Sequence, residues 1–587
     1  MNEPNFQTSS VFNNHKDGIW GKIGKGGGCE VHYIQTVLHT SDLNKLKIIS
    51  EIKESEKWPI QDLFQRNVNK ERVEKGLIPY LKDESEIKFF NPLTLLLLPV
   101  DENREIISEI PFLEVQDTLT FNLAATSYTF EDHFSIELTN DSSGSFGKVE
   151  WNDTKCYLVA IDGQHRLSAL KKLFETNPTI MGDWKVPAQI VCIHKTSRVT
   201  NAPRLIDAVR RIFVSINDKA QKLSTARKIL LNDILPLDVA TQSIIDYSHK
   251  MNNDQTLPLF LLNWRGDTTE GDSKLSLLGI QEINYILNEY FDFADEEDLK
   301  KPNRRVVPAF LTGLGINRSG LDYKTNQQLR EKLKEDFVPG FHKLLRSILV
   351  LNSYIDSINK VKVEAENENR SEVLWAFEKE MYGEPSVYDN AGDRFYQQWD
   401  GKISIFKDSL PELLKRDIGF RAIFYTYSEI KKLEPFKSTF TWVSLAEYFS
   451  PLLNEIIKEG WLKGPSIQND KNKKVLLINL VYDSSDKIIN YRINDVPKAL
   501  GAFLSLQIIS KLLGKDTFRG NSQMINFREE QLNTIKESYE RDIRKEVRAD
   551  ISLGYTGTPE ELKKEIKKKA DQQAKKKQDK LEQFFTI

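Results

Sequence analysis

The sequence has few cysteines and no excess of positive charge. Its 587 residues include only three cysteines, Cys29, Cys156 and Cys192, which are scattered along the chain. So few cysteines exclude a disulfide-stapled secreted scaffold and suit a reducing compartment. The formal net charge is −3, so no global basic field attracts DNA. Any contact with nucleic acid must therefore be a local patch.

Long hydrophobic runs and several enzyme motifs are also missing. The sequence begins without a basic-then-apolar signal, and the most apolar stretch, residues 93–100, is short enough to be a buried strand. We therefore expect a cytoplasmic protein without a membrane partner. No nucleophile elbow and no Rossmann fingerprint occurs. The glycine-rich residues 24–29 lack a following Gly-Lys-Ser/Thr, which favours a flexible loop over a phosphate loop.

The length and composition predict a multidomain globular protein. A chain of 587 residues is too long for one core, and 40% hydrophobic with 10% aromatic residues is typical of globular proteins. We predict a lead-in at 1–33, a catalytic core at 34–236, a helical domain at 237–360, an α+β domain at 361–555 and a charged helical tail at 556–587.

The most informative stretch lies between residues 157 and 170. Residues 157–161 are all apolar or aromatic, which predicts a buried strand. Asp162 and Gly163 form a turn dipeptide. Leu167, Leu170 and later apolar residues then recur with helical spacing, while Lys171 and its neighbour face outward. The sequence therefore predicts a corner at which a strand turns into a helix.

Such a corner suits phosphate chemistry. The first backbone N–H groups of a helix have no partner within it, and the helix dipole adds positive charge there. Gly163 allows close approach of an anion, and Arg166 can fork onto phosphate oxygens. His165 can move a proton, Asp162 can hold Mg²⁺ or orient a water, and Gln164 can position a ribose, a base or a water.

A structural turn is the alternative interpretation of these five residues. In it, Asp162 caps the helix and Arg166 pairs with a carboxylate. We favour a ligand site, because five polar or special residues in a row at a strand end are hard to explain by packing. Strand ends of α/β folds are also where ligands bind.

The pentapeptide Asp162 to Arg166 resembles the namesake motif of the DGQHR-domain family. That family includes DndB-like and DpdB-like proteins, looks like a distant branch of the ParB/sulfiredoxin superfamily, and is similar to GmrSD-type NTPases. Two other segments fit it: residues 63–69, which contain Gln65 and Arg66, and residues 213–224, which contain Asn217. The resemblance covers about residues 34–232.

The resemblance implies an α+β fold, with a ParB/sulfiredoxin-like N-terminal core followed by a mostly α-helical C-terminal half. It implies an ATPase or other NTPase that uses Mg²⁺ and acts with DNA and operon partners in bacterial DNA modification, restriction and anti-phage defence. The implied catalytic residues are Asp162, His165 and Arg166, and the implied nucleotide- or phosphate-binding residues are Gln65, Arg66, Gly163, Gln164 and Asn217. Asp162 is also the implied Mg²⁺ ligand.

Several alternatives remain open beside this reading. A DndB-like DNA-binding regulator without turnover and a ParB-like nuclease are the other functions that the resemblance allows. Judged without the resemblance, Arg66 is a surface ion-pair residue and Asn217 is a left-handed cap at a helix end. The nucleotide, the DNA modification and the oligomeric state are not fixed by the sequence.

Periodicity predicts further elements of the N-terminal part. Residues 1–25 read as a polar lead-in, residues 41–55 as a helix, and residues 205–216 as another helix. Strands are predicted at 30–37, 93–100 and 186–193, with a hairpin formed by 134–139 and 148–151. The corner strand, its helix and the strand at 186–193 together predict a βαβ-like unit.

Two cysteine–histidine pairs have the spacing of metal ligands. Cys29 and His32 form one pair, and Cys192 and His194 form the other. A zinc site needs four ligands, and neither pair has an obvious partner pair. We therefore interpret them as ordinary strand residues.

The C-terminal half is predicted to be mainly helical. Residues 360–371 read as a linker, and helices are predicted at 442–459 and 498–513. A hairpin beginning at 475–482 would give a weak likeness to a winged helix. The lysine-rich tail at 559–585 is expected to be a solvated helix or a disordered end rather than a DNA contact.

Overall fold

The computed structural model contains two compact units, Met1–Leu223 and Ser224–Ile587. It describes residues 11–26, 28–52, 72–83, 85, 87–89, 91–120, 123–139, 145–182, 184–198, 202–220, 224–251, 254–266, 275–291, 293–294, 311, 315–318, 320–382, 403–434, 436–464, 471–483, 487–489, 495–514, 516–552 and 555–585.

The first unit is built on a ten-stranded mixed sheet. Its strands are β1 (Asn14–Gly26), β2 (Cys29–His39), β3 (Leu46–Lys47), β4 (Leu93–Pro99), β5 (Glu114–Thr120), β6 (Leu123–Phe130), β7 (Phe134–Thr139), β8 (Phe146–Trp151), β9 (Cys156–Asp162) and β10 (Lys185–Lys195). The α-helices among its described residues are α1 (Ile78–Lys82), α2 (Gln164–Thr176) and α3 (Leu205–Ala220).

The strands lie in the order β3-β9-β4-β10-β2-β1-β8-β7-β6-β5. β4 separates β9 from β10, and it is antiparallel to β9 but parallel to β10. β9 and β10 therefore run in opposite directions, and the prediction of a βαβ-like unit is wrong. The directions of β9 and β10 depend on how each pairs with β4. Because β4 precedes the corner in sequence, the residues of the corner carry no signal of this pairing.

The central strands are buried on both faces, because successive residues of a strand point to opposite sides. Leu158 and Ala160 of β9 belong to one apolar cluster, which also contains the Leu167 side chain of α2. Val159 belongs to the opposite cluster, together with Val209 of α3. The two helices thus cover opposite faces of β9, which explains its continuous apolar sequence.

Most of the predicted strands of this unit are confirmed. β2, β4, β9 and β10 lie where the apolar patterns placed them, and β7 pairs with β8 in the predicted hairpin. Two other predictions are wrong. Part of the lead-in is a strand, β1, which pairs with β2 and β8, and the segment predicted as a helix at 41–55 contains short 3₁₀ turns at Thr40–Lys45 and Ile49–Glu51 on either side of β3.

The second unit is mainly helical. A two-stranded sheet is formed by β11 (Leu262–Asn263) and β12 (Leu278–Gly279). Its described α-helices are α4 (Thr225–Leu231), α5 (Pro236–Met251), α6 (Ile280–Tyr290), α7 (Tyr323–Lys332), α8 (Val338–Arg346), α9 (Leu349–Asn367), α10 (Ser371–Tyr382), α11 (Asp417–Lys431), α12 (Phe436–Thr439), α13 (Trp442–Lys458), α14 (Lys471–Leu477), α15 (Asp495–Leu513), α16 (Thr517–Gly520), α17 (Ser522–Ser552) and α18 (Pro559–Phe585). The predicted α+β class and the mostly helical C-terminal half are confirmed.

One helix of this unit, α15, is long and apolar enough to span a membrane by length and composition. Most of it is buried within the protein, and α11, α13 and α17 pack against it. Core helices of soluble proteins have these same properties. By itself, α15 is therefore weak evidence for a membrane span.

Two local predictions for the second unit are wrong. The segment predicted as a linker at 360–371 is largely occupied by α9, which continues to Asn367. The segment predicted as a hairpin strand at 475–482 begins inside α14. Its later residues make isolated bridges between Tyr482 and both Ile478 and Ile488 rather than a paired strand.

Candidate functional site

The predicted strand-to-helix corner is present. β9 ends at Asp162, Gly163 is the N-cap residue, and α2 begins at Gln164. The backbone N–H of Leu167 donates to the carbonyl oxygen of Gly163 at 2.8 Å, which closes the first helical turn. The five residues of the pentapeptide thus lie together at one end of the central strand pair β4–β9.

Gly163 is required by both backbone conformation and space. Its φ of +88° lies in the left-handed region that favours glycine. A Cβ atom added there would lie 2.6 Å from Cδ2 of Leu93 and 3.0 Å from Nη2 of Arg166. Glycine therefore permits the chain to reverse tightly against the start of β4.

Asp162 and Arg166 form an ion pair across this turn. The Arg166 Nη2 atom lies 2.9 Å from Oδ2 of Asp162, and the two side chains are 18% and 34% exposed respectively. Arg166 also donates through Nη1 to the carbonyl oxygens of Asn91 and Pro92. The guanidinium therefore ties the helix start to the strand end and to the residues that lead into β4.

The N-terminus of α2 carries no side-chain cap. Gly163, the N-cap residue, has no side chain that could accept a hydrogen bond from the first amides of the helix. The first turn also contains no acidic residue. The alternative in which Asp162 caps the helix is therefore wrong, whereas the pairing of Arg166 with a carboxylate is present. Uncapped amides and the helix dipole leave partial positive charge at this end. Gln164 is buried and His165 is half-buried beside it.

The lysines of α2 are paired away from the corner. Lys171 forms an ion pair with Glu51 at 2.8 Å, and Lys172 forms one with Glu74 at 2.6 Å. They hold the helix against neighbouring segments. Arg166 is therefore the cationic side chain that the described part of α2 brings to the corner.

The other predicted site residues are placed only in part. Gln65 and Arg66 lie outside the described residues. Asn217 lies on α3, which continues to Ala220, so the interpretation of Asn217 as a left-handed cap at the helix end is wrong. The side chain of Asn217 is outside the described part of the chain.

An open depression of about 630 Å³ adjoins the corner at Pro92. Its lining includes Gln35 on β2, Gln189 on β10 and the exposed ring of Phe146. Pro92 connects the depression to the corner, because its carbonyl is 3.5 Å from Nη1 of Arg166, although Arg166 itself does not line the depression. This depression could not be predicted from the sequence, because its walls come from strands that are distant along the chain.

A smaller cavity of about 230 Å³ lies at the opposite end of β9, near Cys156. Two of its basic residues already have acceptors: Lys16 is 2.6 Å from the Asp42 carboxylate, and Arg104 donates to the Asp153 carbonyl at 2.8 Å. Six strand steps separate this cavity from the corner by roughly 20 Å. The corner thus remains the better candidate for a phosphate ligand.

Comparison with known proteins gives no match, whether with protein-family models, with curated proteins or with solved structures.

Proposed function

We propose that this chain binds and hydrolyses a nucleoside triphosphate, ATP with Mg²⁺, at the corner between β9 and α2. The core would be a ParB/sulfiredoxin-like one. The observation that carries the proposal is the uncapped start of α2 beside Gly163, with a guanidinium within the same turn. Helix N-termini bind phosphates because their N–H groups and the dipole face the anion.

Exchange of ion-pair partners would allow the ligand to bind. Without nucleotide, Asp162 and Arg166 neutralise each other at 2.9 Å. Breaking this pair alone would leave a partly buried charge uncompensated, which is costly. A Mg²⁺–nucleotide complex offers a cation to Asp162 and anionic oxygens to Arg166, so both charges keep a partner. The ion pair would thus hold the site closed until metal and phosphate arrive together.

The remaining residues of the motif have supporting roles in this proposal. His165 would contact the γ-phosphate or act as acid and base, and Gln164 would orient the nucleotide or a water from its buried position. Gln65, Arg66 and Asn217 would complete the phosphate and nucleotide contacts, as the family resemblance implies. The depression beside Pro92 would accept the nucleoside.

The cellular role that we propose is a cytoplasmic component of a bacterial DNA modification or restriction system, acting in anti-phage defence. Its partners would be DNA and other proteins of the same operon. Hydrolysis would drive remodelling of DNA for a partner that modifies a base or the backbone. Because the net charge is −3, DNA contact would be confined to a local patch.

The test is release of phosphate from each nucleoside triphosphate with Mg²⁺, with and without DNA. Asp162→Ala and Arg166→Ala should abolish hydrolysis while circular dichroism remains unchanged. Lys172→Ala is the matched control, because it lies on the same helix and pairs with Glu74 away from the corner. Normal turnover in both corner variants would refute the proposal.

A DNA-binding regulator without turnover is the second candidate. Arg166 already has a carboxylate and two carbonyl partners, an arrangement that also serves a purely positional arginine. Binding to the promoter of its own operon, unchanged by nucleotide and without phosphate release, would favour this function. Mg²⁺-dependent nicking of plasmid DNA in the same samples would instead reveal a nuclease.

A further inference from the structure

Strand pairing brings together two histidines and a glutamate that are far apart in sequence. β2 and β10 are antiparallel neighbours, and in their register Glu30 lies opposite His194 while His32 lies opposite Cys192. Residues two apart on a strand share a face, as do residues directly opposite on paired strands. Glu30, His32 and His194 therefore lie on one face of the sheet.

All three side chains are buried in an aromatic setting. The exposed fractions are 7% for Glu30, 2% for His32 and 5% for His194. The ring of His32 has its centre 5.0 Å from that of His194 and 5.1 Å from that of Tyr128 on β6. β6 is separated from β2 by three strands in the sheet order, so the sheet must curl to bring Tyr128 over the histidines.

The polar atoms of His32 are not satisfied by the protein. Among the described residues, neither ring nitrogen of His32 has a hydrogen-bond partner. Its Nε2 atom is 3.9 Å from Oε2 of Glu30, which is too long for a hydrogen bond. A buried imidazole without a partner is costly unless a ligand is bound to it.

The other two side chains are oriented as metal ligands are. His194 has its Nδ1 atom 3.0 Å from the carbonyl oxygen of Lys195, and because a carbonyl only accepts, Nδ1 must donate. In the tautomer that carries its proton on Nδ1 the lone pair is on Nε2, and histidines that bind metals through one ring nitrogen commonly donate the other N–H to a backbone carbonyl in this way. Glu30 forms an ion pair with Lys22 at 2.9 Å, which holds it as a carboxylate.

We propose that Glu30, His32 and His194 bind a divalent transition-metal ion of the zinc class. One ligand atom from each residue can be chosen such that all three lie within 4.8 Å of one another. Tetrahedral zinc with ligands at about 2.1 Å places these atoms about 3.4 Å apart. Modest side-chain rotations would therefore close the site. Two imidazoles and one carboxylate suit zinc and related metals better than Mg²⁺.

The experiment uses the full chain without a histidine tag, stripped with a chelator and dialysed against Zn²⁺. Elemental analysis should find one zinc per chain, and Co²⁺ should give a tetrahedral absorption band. His194→Gln should weaken zinc binding at least tenfold. His39→Ala is the matched control, because His39 lies on the same strand but is exposed, and it should keep full binding.

His32→Leu keeps the test interpretable if other variants fold poorly. It replaces an imidazole without hydrogen-bond partners by an apolar side chain, so the variant should fold. Zinc should raise the melting temperature of the wild type but not that of His32→Leu. Absence of zinc uptake by the wild type would overturn the proposal. So would equal zinc affinity in the wild type and in His32→Leu and His194→Gln, which would mean adventitious surface binding.

Discussion

The guanidinium of Arg166 and the carboxylate of Asp162 are 2.9 Å apart, four residues along the chain, on either side of a left-handed glycine. The same guanidinium donates to the carbonyl oxygen of Asn91. One side chain thus joins the end of β9, the start of α2 and the approach to β4. The corner is held by polar contacts in addition to its apolar packing.

Arg166→Ala is therefore expected to loosen the corner. It removes a partly buried ion pair and the hydrogen bonds to Asn91 and Pro92, which together are worth about 1–2 kcal/mol of local unfolding free energy. Amide hydrogen exchange should become faster in peptides that span β9 and the first turns of α2. Lys172→Ala removes only an exposed pair and should change exchange there little. Unchanged exchange in Arg166→Ala would show that the apolar packing alone holds the corner.

Gly163→Ala should destabilise the first unit by about 1–3 kcal/mol, because alanine is strained at positive φ and its Cβ would contact Leu93 at 2.6 Å. Gly76→Ala is the control. Gly76 lies in a helical segment with nothing within 4 Å of the added Cβ, so alanine should be neutral or slightly stabilising there. Chemical denaturation of both variants compares them directly, and equal midpoints would contradict the strain argument.

Glu282→Gln should stabilise the second unit relative to the wild type, and this advantage should be larger at pH 8 than at pH 5. Burial raises the pKa of Glu282 to about 7, and its Oε2 atom is buried with no hydrogen-bond partner among the described residues. Between about pH 4.5 and pH 7, Glu282 is therefore protonated in the folded state but has lost its proton in the unfolded state. The unfolding free energy of the wild type consequently falls as the pH rises through that window.

The glutamine variant lacks this penalty, and its advantage should reach about 1–2 kcal/mol above pH 7 and vanish near pH 4.5. The measurement is the melting temperature of wild type and variant across that range. Glu331→Gln, at an exposed position of the same unit, should show no such trend. A difference independent of pH would place the cause in packing rather than in ionisation.

The corner could be predicted from the sequence because each of its parts has a local pattern. The apolar run predicts β9, the dipeptide Asp162–Gly163 predicts the turn, and the spacing of Leu167, Leu170 and Leu173 predicts α2. The partner of Arg166 was not predicted as Asp162 itself, since either a ligand or another carboxylate fits the same residue types. Which of these partners Arg166 contacts depends on side-chain geometry within one turn of the chain.

Features set by sheet order could not be predicted. β1 was interpreted as a lead-in because its polar and glycine residues lack an apolar alternation, and its pairing with β2 and β8 determines its conformation. His32 and His194 become neighbours only because β2 pairs with β10. A local signal did exist: Glu30 and His32 are two apart on a predicted strand and hence share a face. The spacing of His194 from Cys192 also marks it as a possible ligand, but nothing in the sequence indicates that β10 pairs with β2.

The lysine-rich tail provides the last prediction, because one of its lysines is half-buried. The predicted tail helix is present as α18 and most of its side chains are exposed. One side of it packs against α17 and buries Ala570, Ala574 and Leu581, so the tail is neither disordered nor solvated on all sides. The Lys577 ammonium donates to the carbonyl oxygen of Ile478 at 2.9 Å, and burial lowers the pKa of Lys577 to about 8.

Between about pH 8 and pH 10.5, Lys577 has lost its proton in the folded state but retains it in the unfolded state. The contribution of Lys577 to the unfolding free energy should therefore rise with pH across that window. Relative to Lys577→Met, the wild type should gain about 1–2 kcal/mol between pH 7.5 and pH 10.5, measured by urea denaturation at each pH. Lys567→Met, at an exposed position of the same helix, should keep a constant difference from the wild type, because Lys567 is not buried. Parallel pH profiles for wild type and Lys577→Met would mean that the ammonium remains in contact with water, and the tail would then be held to α17 by its apolar side chains alone.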